Sequence, residues 1–197
     1  AVNFEHTPLA KYFLGLSYLV TGNSVLFNIP LYFGTLALLY ILSLRVITRK
    51  WIAYLVVFLV GTLKLFYLNV AQGMLDLPNL FSALLFFVVL TTDSLQPRTA
   101  RKTAGKYIAL GIILGIFAGT RYPFPLISLL LAPLFIWAYA KKELAFVAYS
   151  LLFLALTYLA TYSVFFKARS RFEFIQFEWY RFRWFTDART IPKFLIF

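Results

Sequence analysis

The apolar residues of this chain lie in long blocks, and the basic residues collect between the blocks. No other feature constrains the fold as much. In hydrocarbon every backbone polar group must be satisfied inside its own segment, so apolar blocks of about 20 residues become membrane-crossing helices. Composition points the same way: 62% of the residues are hydrophobic and 13% charged, against about 45–50% and about 25% in a soluble domain. A chain this apolar cannot remain disordered. The expected fold class is therefore all-α, a polytopic membrane protein of the cell membrane.

Six blocks read as spans: 25–44, 51–68, 79–92, 107–121, 124–140 and 144–166. Residues 69–78 break the apolar run, and 93–106 (DSLQPRTARKTAGK) is the most polar stretch and reads as a loop. Pro123 and Pro125 mark a turn. Residues 9–21 are apolar but too short to cross a bilayer, and read as an interfacial helix lying along the membrane surface. This gives 1–24 as outer loop and interfacial helix, 25–166 as the membrane domain and 167–197 as a basic, aromatic outer tail. Residue 1 is Ala with no leader pattern before it, so the chain is expected to be processed or part of something longer.

Sidedness follows from charge. Arg45, Arg49 and Lys50, then Arg98, Arg101, Lys102 and Lys106, then Lys141 and Lys142 make nine basic residues in three loops. Two spans separate each loop from the next, so all three share one side, which the positive-inside rule makes cytoplasmic. The other side receives 1–24, the break at 69–78, the turn at 119–124 and the tail. Lys167, Arg169, Arg171, Arg181, Arg183, Arg189 and Lys193 in that tail oppose this parity, which is preferred because three short loops agree. The chain carries a formal net charge of +12, which in such a protein reports topology and anionic headgroups before nucleic acid.

Several chemistries are excluded. There is no cysteine, hence no disulfide, thiolate metal site or cysteine nucleophile. His6 is the single histidine, which removes multi-histidine metal sites and bis-histidine haem. No catalytic triad order, phosphate-binding glycine loop or carboxylate cluster occurs. No metal or cofactor is expected.

The outer segments instead gather isolated polar groups: Glu5, His6, Lys11, Asp76 and Arg121, with Lys64 a turn below. Asp76 and Arg121 come from different hairpins. A carboxylate and a guanidinium facing one cavity can bind a lipid phosphate and orient an acceptor; the plainer alternative is two solvated headgroup-level charges. His6 is equally readable as an acid/base group or a loop residue. Gly111, Gly115 and Gly119 recur every four residues and offer a close-packing face for a neighbouring helix, in this chain or in a partner subunit. The tail stretch 171–185 (RFEFIQFEWYRFRWF) interleaves Arg with aromatics. Single-stranded nucleic acid is held by such groups, but beside a span an interfacial anchor is favoured, and no nucleic-acid partner is expected. Its periodicity assigns it to neither helix nor strand.

The segment E-H-T-P-L-A-K at 5–11 resembles the Glu-His-Pro-Pro-Leu-x-Lys motif of C-type glycosyltransferases, in the branch of dolichyl-phosphate-mannose protein mannosyltransferases and aminoarabinose transferases. F-G-T-L-A-L-L-Y at 33–40, M-L-D-L-P at 74–78 and G-I-F-A-G-T-R-Y at 115–122 follow in a similar order, from about 5 to 166. Thr7 replaces the first Pro of the motif, and Asn28 stands where the family usually has Arg. The resemblance implies transfer of a sugar from a polyprenyl-phosphate donor to a protein or lipid acceptor at the outer face. It implies Asp76 and Glu5 as catalytic-site carboxylates, and Arg121, His6, Lys11 and Tyr122 as donor-binding residues. The family's principal catalytic acid lies upstream of the Glu-His motif. The expectation is therefore either a piece of a longer enzyme or a relative without catalysis. The alternative function is a non-catalytic membrane subunit packing through its glycines and its tail.

Overall fold

The computed structural model describes residues 8–47, 49–71, 76–93, 100–120, 133–137, 144–168 and 170–186. Among these residues every regular element is helical, as the apolar blocks require. The first helix, α1 (Pro8–Thr21), opens on a proline, whose missing N–H is no loss in a first turn. It stops at Gly22, whose φ of 74° is left-handed and costs glycine nothing; the Gly22 amide donates to Tyr18 O at 2.8 Å. Buried Ser17 then holds the turn, donating to Asn23 O (2.6 Å) and accepting from the Phe27 amide (3.2 Å).

Helix α2 (Asn28–Val46) follows and runs antiparallel to α3 (Lys50–Thr62) and α4 (Lys64–Ala71) taken together. Tyr40 stacks on Tyr54 at 4.8 Å, Tyr32 donates to Gly61 O at 2.9 Å and packs on Phe66 at 5.1 Å, and Asn28 Nδ2 reaches Val70 O at 3.4 Å. The pair α3–α4 thus accompanies α2 from end to end. Helix α5 (Asp76–Leu90) lies parallel to α2: Phe81 sits against Gly34, while Arg45 donates to Val88 O and to the hydroxyls of Thr91 and Thr92 in the short 3₁₀ turn Thr91–Asp93.

Helix α6 (Ala100–Thr120) runs antiparallel to α5. Thr120 meets Asn79 at one end, and Lys106 Nζ donates to Leu90 O at 2.7 Å at the other. Helix α7 (Leu144–Thr161) lies parallel to α6. A Cβ on Gly111 would stand 2.3 Å from Ser150 O, one on Gly115 2.5 Å from Thr157, and one on Gly119 2.7 Å from Thr161. The glycine face is therefore filled by a helix of the same chain. Ser150 adds a 2.8 Å bond to Tyr107 O, and Tyr107 stacks on Phe146 at 4.8 Å. The core lies in this layer: Phe86, Leu90, Tyr107, Leu110, Ile113, Leu114 and Leu154, joined by Ile136 of the helical segment 133–137.

Four boundaries differ from expectation. The span read at 51–68 is broken at Leu63, which is extended (ψ 126°). Thr62 turns its hydroxyl back to Phe58 O and Leu59 O there (2.9 and 3.2 Å). The block 144–166 is likewise interrupted at Tyr162 before α8 (Ser163–Ala168). Third, α6 begins at Ala100, inside the stretch read as a loop, because Ala, Arg and Lys are good helix formers and polarity alone does not unwind them. Fourth, the unassigned tail forms α9 (Arg171–Thr186). Of the span read at 124–140, residues 133–137 are described and helical.

Among the described residues two helices, Asn28–Val46 and Leu144–Thr161, are long and apolar enough to cross a membrane. Only 11% and 17% of their apolar windows are buried inside the protein, so neither has the burial of a soluble core helix. Phe33, Val46, Leu144 and Leu152 stand exposed along them.

Candidate functional site

Four helix ends and one crossing helix converge at one end of the bundle. They are the N-terminus of α2, the C-terminus of α4, the N-terminus of α5, the C-terminus of α6, and α1 lying across them. The sequence supplies the contact face of α1 at i, i+3, i+4 and i+7, as Leu9, Tyr12, Phe13 and Leu16. These side chains, with Leu31 of α2, Pro78, Phe81, Ser82 and Leu85 of α5, and Ile113, Ile116 and Thr120 of α6, line a half-open cavity of about 390 Å³.

The cavity has almost no polar surface, and of the three hydroxyls in its lining two are already committed. Ser82 donates to Pro78 O at 2.8 Å, and Thr120 engages Phe117 O at 2.7 Å as well as the Asn79 side chain. Water would find few partners here, and apolar cavities of this kind favour hydrocarbon. Burial pushes the Tyr12 hydroxyl above its usual pKa, so Tyr12 remains a neutral phenol at the cavity wall.

Polarity gathers just beyond the cavity. Asp76 opens α5 two residues before Pro78 and is exposed; a carboxylate there is favoured by the helix dipole. Buried Asn79 lies one turn further in, and among the described residues its Nδ2 has no hydrogen-bond partner. Asn28, fully buried at the start of α2, likewise leaves its Oδ1 unpaired. Each such atom costs about 1–3 kcal/mol, so this end of the bundle carries strain that packing elsewhere offsets.

Of the residues expected to form the site, Asp76 and Lys11 are described. Both are exposed and neither lines the cavity, Lys11 being interleaved with the lining positions of α1. Glu5, His6, Arg121 and Tyr122 lie outside the described residues. The Thr120–Asn79 bond brings the residue before Arg121 to the first turns of the helix that Asp76 opens. Sequence reasoning missed Asn79, Ser82 and the α1 face. The helical spacing of Leu9, Tyr12, Phe13 and Leu16, and two polar residues inside an otherwise apolar span, were the available signals.

The opposite end is basic. Arg45 and Lys106 both donate to carbonyls in the last turn of α5, where cations complement the dipole and satisfy orphan acceptors. Arg49 and Lys50 stand at the start of α3 beside it. Among the described residues no three His, Cys, Asp or Glu side chains cluster as metal ligands would. No protein-family model, curated protein or solved structure matches the chain.

Proposed function

We propose that this chain is a six-span protein of the cell membrane that holds a polyprenyl-phosphate-linked sugar and serves its transfer to a protein or lipid acceptor at the outer face. The observation that carries the reading is the apolar cavity between α1, α5 and α6, which adjoins the helix ends leading to Asp76 and Arg121. A polyprenyl donor is a hydrocarbon chain joined to an anion. Its chain needs a dry apolar cleft, and its phosphate needs a cation at the cleft mouth.

The packing directions support the crossings. Helices α2 and α5 are parallel, α3–α4 and α6 run against them, and α7 is parallel to α6. Alternation of this kind follows if 25–44, 51–68, 79–92, 107–121, 124–140 and 144–166 cross in turn, with 124–140 returning between two parallel neighbours. The break at Leu63 divides the second crossing into two helices without shortening its path beside α2. Arg45, Arg49, Lys50 and Lys106 then fall on the cytoplasmic side, and α1, at about 21 Å for 14 residues, lies at the outer interface rather than crossing.

In this mechanism Arg121 and Lys11 hold the donor phosphate. Asp76, with Glu5, accepts the proton of the acceptor hydroxyl or orients a basic partner, and the acceptor oxygen displaces lipid phosphate from the anomeric carbon. His6 and Tyr122 border the donor. The test is binding of polyprenyl phosphate to the purified full chain in detergent. Arg121→Ala is expected to weaken it at least tenfold with the fold intact, and Arg121→Lys to recover part, since a planar fork suits phosphate better than an ammonium. Unchanged affinity in the Ala variant would leave Arg121 a solvated interfacial charge, and a non-catalytic packing subunit would become the better reading.

A further inference from the structure

The helix α9 is folded back on the end of α7 and on α8. Phe174 packs against Tyr162 and Phe166 (both 4.9 Å), and Tyr158 donates to Glu178 Oε2 at 3.2 Å. These contacts fix which side of α9 faces the protein: Glu173, Phe174, Phe177 and Glu178 are half-buried. The side chains described as exposed are Phe172, Ile175, Gln176, Trp179, Tyr180 and Arg183. The two faces are thus sorted by charge. Both carboxylates of the helix are on the protein side, and the outward face carries aromatics and a guanidinium with no acid among its described side chains. Arg183 lies over the Trp179 ring at 5.6 Å, and Lys167 at the end of α8 is exposed on the approach to α9. Over 167–197 the sequence has seven basic and three acidic residues, a net of 7 − 3 = +4.

We infer that α9 is an interfacial anchor whose outward face docks on the anionic headgroup layer of the bilayer. Phe172, Ile175 and Trp179 would sit at the acyl boundary, with Arg183 pairing with lipid phosphate. Three features single out an anionic membrane as the occupant. The helix is tied to the end of an apolar helix with a lipid-length exposed face. An aromatic-plus-Arg face is what an interfacial helix presents. Turning Glu173 and Glu178 inward removes the repulsion that anionic lipid would otherwise meet. This rests on the membrane reading of α2 and α7 but not on a sugar-phosphate donor.

The absence of cysteine makes the test direct. Nitroxide labels at Ile175→Cys and, separately, at Phe33→Cys on the exposed face of α2 are placed in the full chain in phosphatidylcholine bilayers with and without phosphatidylglycerol. Accessibility to oxygen, which partitions into lipid, is compared with accessibility to a water-soluble nickel chelate. At 175 the oxygen-to-nickel ratio is expected to rise when phosphatidylglycerol is present and to fall in high salt. It is also expected to fall about fivefold in the Arg183→Gln background, the change that about 1 kcal/mol per basic residue at an anionic surface produces. An aqueous signal at 175 that ignores lipid charge overturns the proposal, as does protection from both reagents, which indicates a protein cover. Protection by added single-stranded oligonucleotide in place of lipid overturns it in favour of nucleic acid. If the label at 33 is aqueous too, the membrane reading itself falls; if 33 is lipid-exposed and 175 is not, only the anchor does.

Discussion

Thr120, the last residue of α6, donates its hydroxyl to the side-chain carbonyl of Asn79 in the second turn of α5. Two hairpins well separated in sequence are thereby pinned at one end of the bundle. The pin is imperfect, because among the described residues it leaves Asn79 Nδ2 buried and unpaired. Replacing such a group by an apolar one of similar volume is nearly neutral or stabilising, whereas leaving it unpaired costs about 1–3 kcal/mol. Asn79→Leu is therefore expected to hold or raise the thermal midpoint in detergent, since the single Thr120 hydroxyl proton, shared between Asn79 Oδ1 and Phe117 O, can then go wholly to Phe117 O. A clear drop would mean that the amide nitrogen has a partner after all.

The contact between α6 and α7 makes a sharper claim. A methyl group on Gly111 would overlap Ser150 O, a backbone atom that cannot swing aside, whereas around Gly105 on the same helix nothing lies within 4 Å. Gly111→Ala should destabilise the protein by about 1–3 kcal/mol through overpacking. Gly105→Ala should be neutral or stabilise it by up to about 1 kcal/mol through helix propensity. Chemical or thermal unfolding of the two variants side by side checks this, and equal midpoints would mean that the helices are not in register as described.

At the basic end, Lys106 is 7% exposed and spends its ammonium on Leu90 O. Lys106→Met keeps the aliphatic stem but leaves that carbonyl in the last turn of α5 to other donors. The expected loss is about 1.5–3 kcal/mol, the worth of a charged hydrogen bond. Arg45→Gln should cost less, because the Arg45 side chain is exposed and screened by solvent. If the Met variant is as stable as the parent, the buried ammonium does not cap α5.

Why some of this architecture was legible in the sequence and some was not has physical causes. Apolar blocks and the Gly111–Gly115–Gly119 spacing announced helices and a close-packed face, because both are consequences of period and size. Which helix fills that face was not encoded locally, since Ser150, Thr157 and Thr161 are ordinary small residues in an apolar run. The break at Leu63 has no marker in its own residues: Thr62 bonds back to the preceding turn, but so do Thr35 and Ser82 inside unbroken helices. The tail helix was readable in principle. Ser170 accepts the Glu173 amide at 3.2 Å, and Ser-x-x-Glu is a helix-start pattern that the surrounding aromatics obscured. For the site, Asp76 was found as a carboxylate beside a span, but the cavity behind it is made from four helices, and no single stretch contains it.

The cavity itself offers the most direct experiment on function. Ile116 lines it and is 38% exposed, so a larger side chain there can extend into the void without displacing the core around Leu114 and Leu110. Ile116→Trp should narrow the 390 Å³ cavity and lower polyprenyl-phosphate affinity. Its thermal midpoint should hold or rise, because filling an apolar void restores dispersion contacts. Ile116→Val enlarges the void slightly, and should bind the lipid normally while losing about 0.5–1.5 kcal/mol of stability at most. The contrast with Arg121→Ala is informative. Narrowing the cavity reduces the hydrocarbon contribution and should weaken binding equally in low and high salt, whereas removing the guanidinium should abolish the salt-sensitive part. If Ile116→Trp binds polyprenyl phosphate as tightly as the parent does, the lipid chain lies elsewhere, and the cavity is a packing defect rather than a binding site.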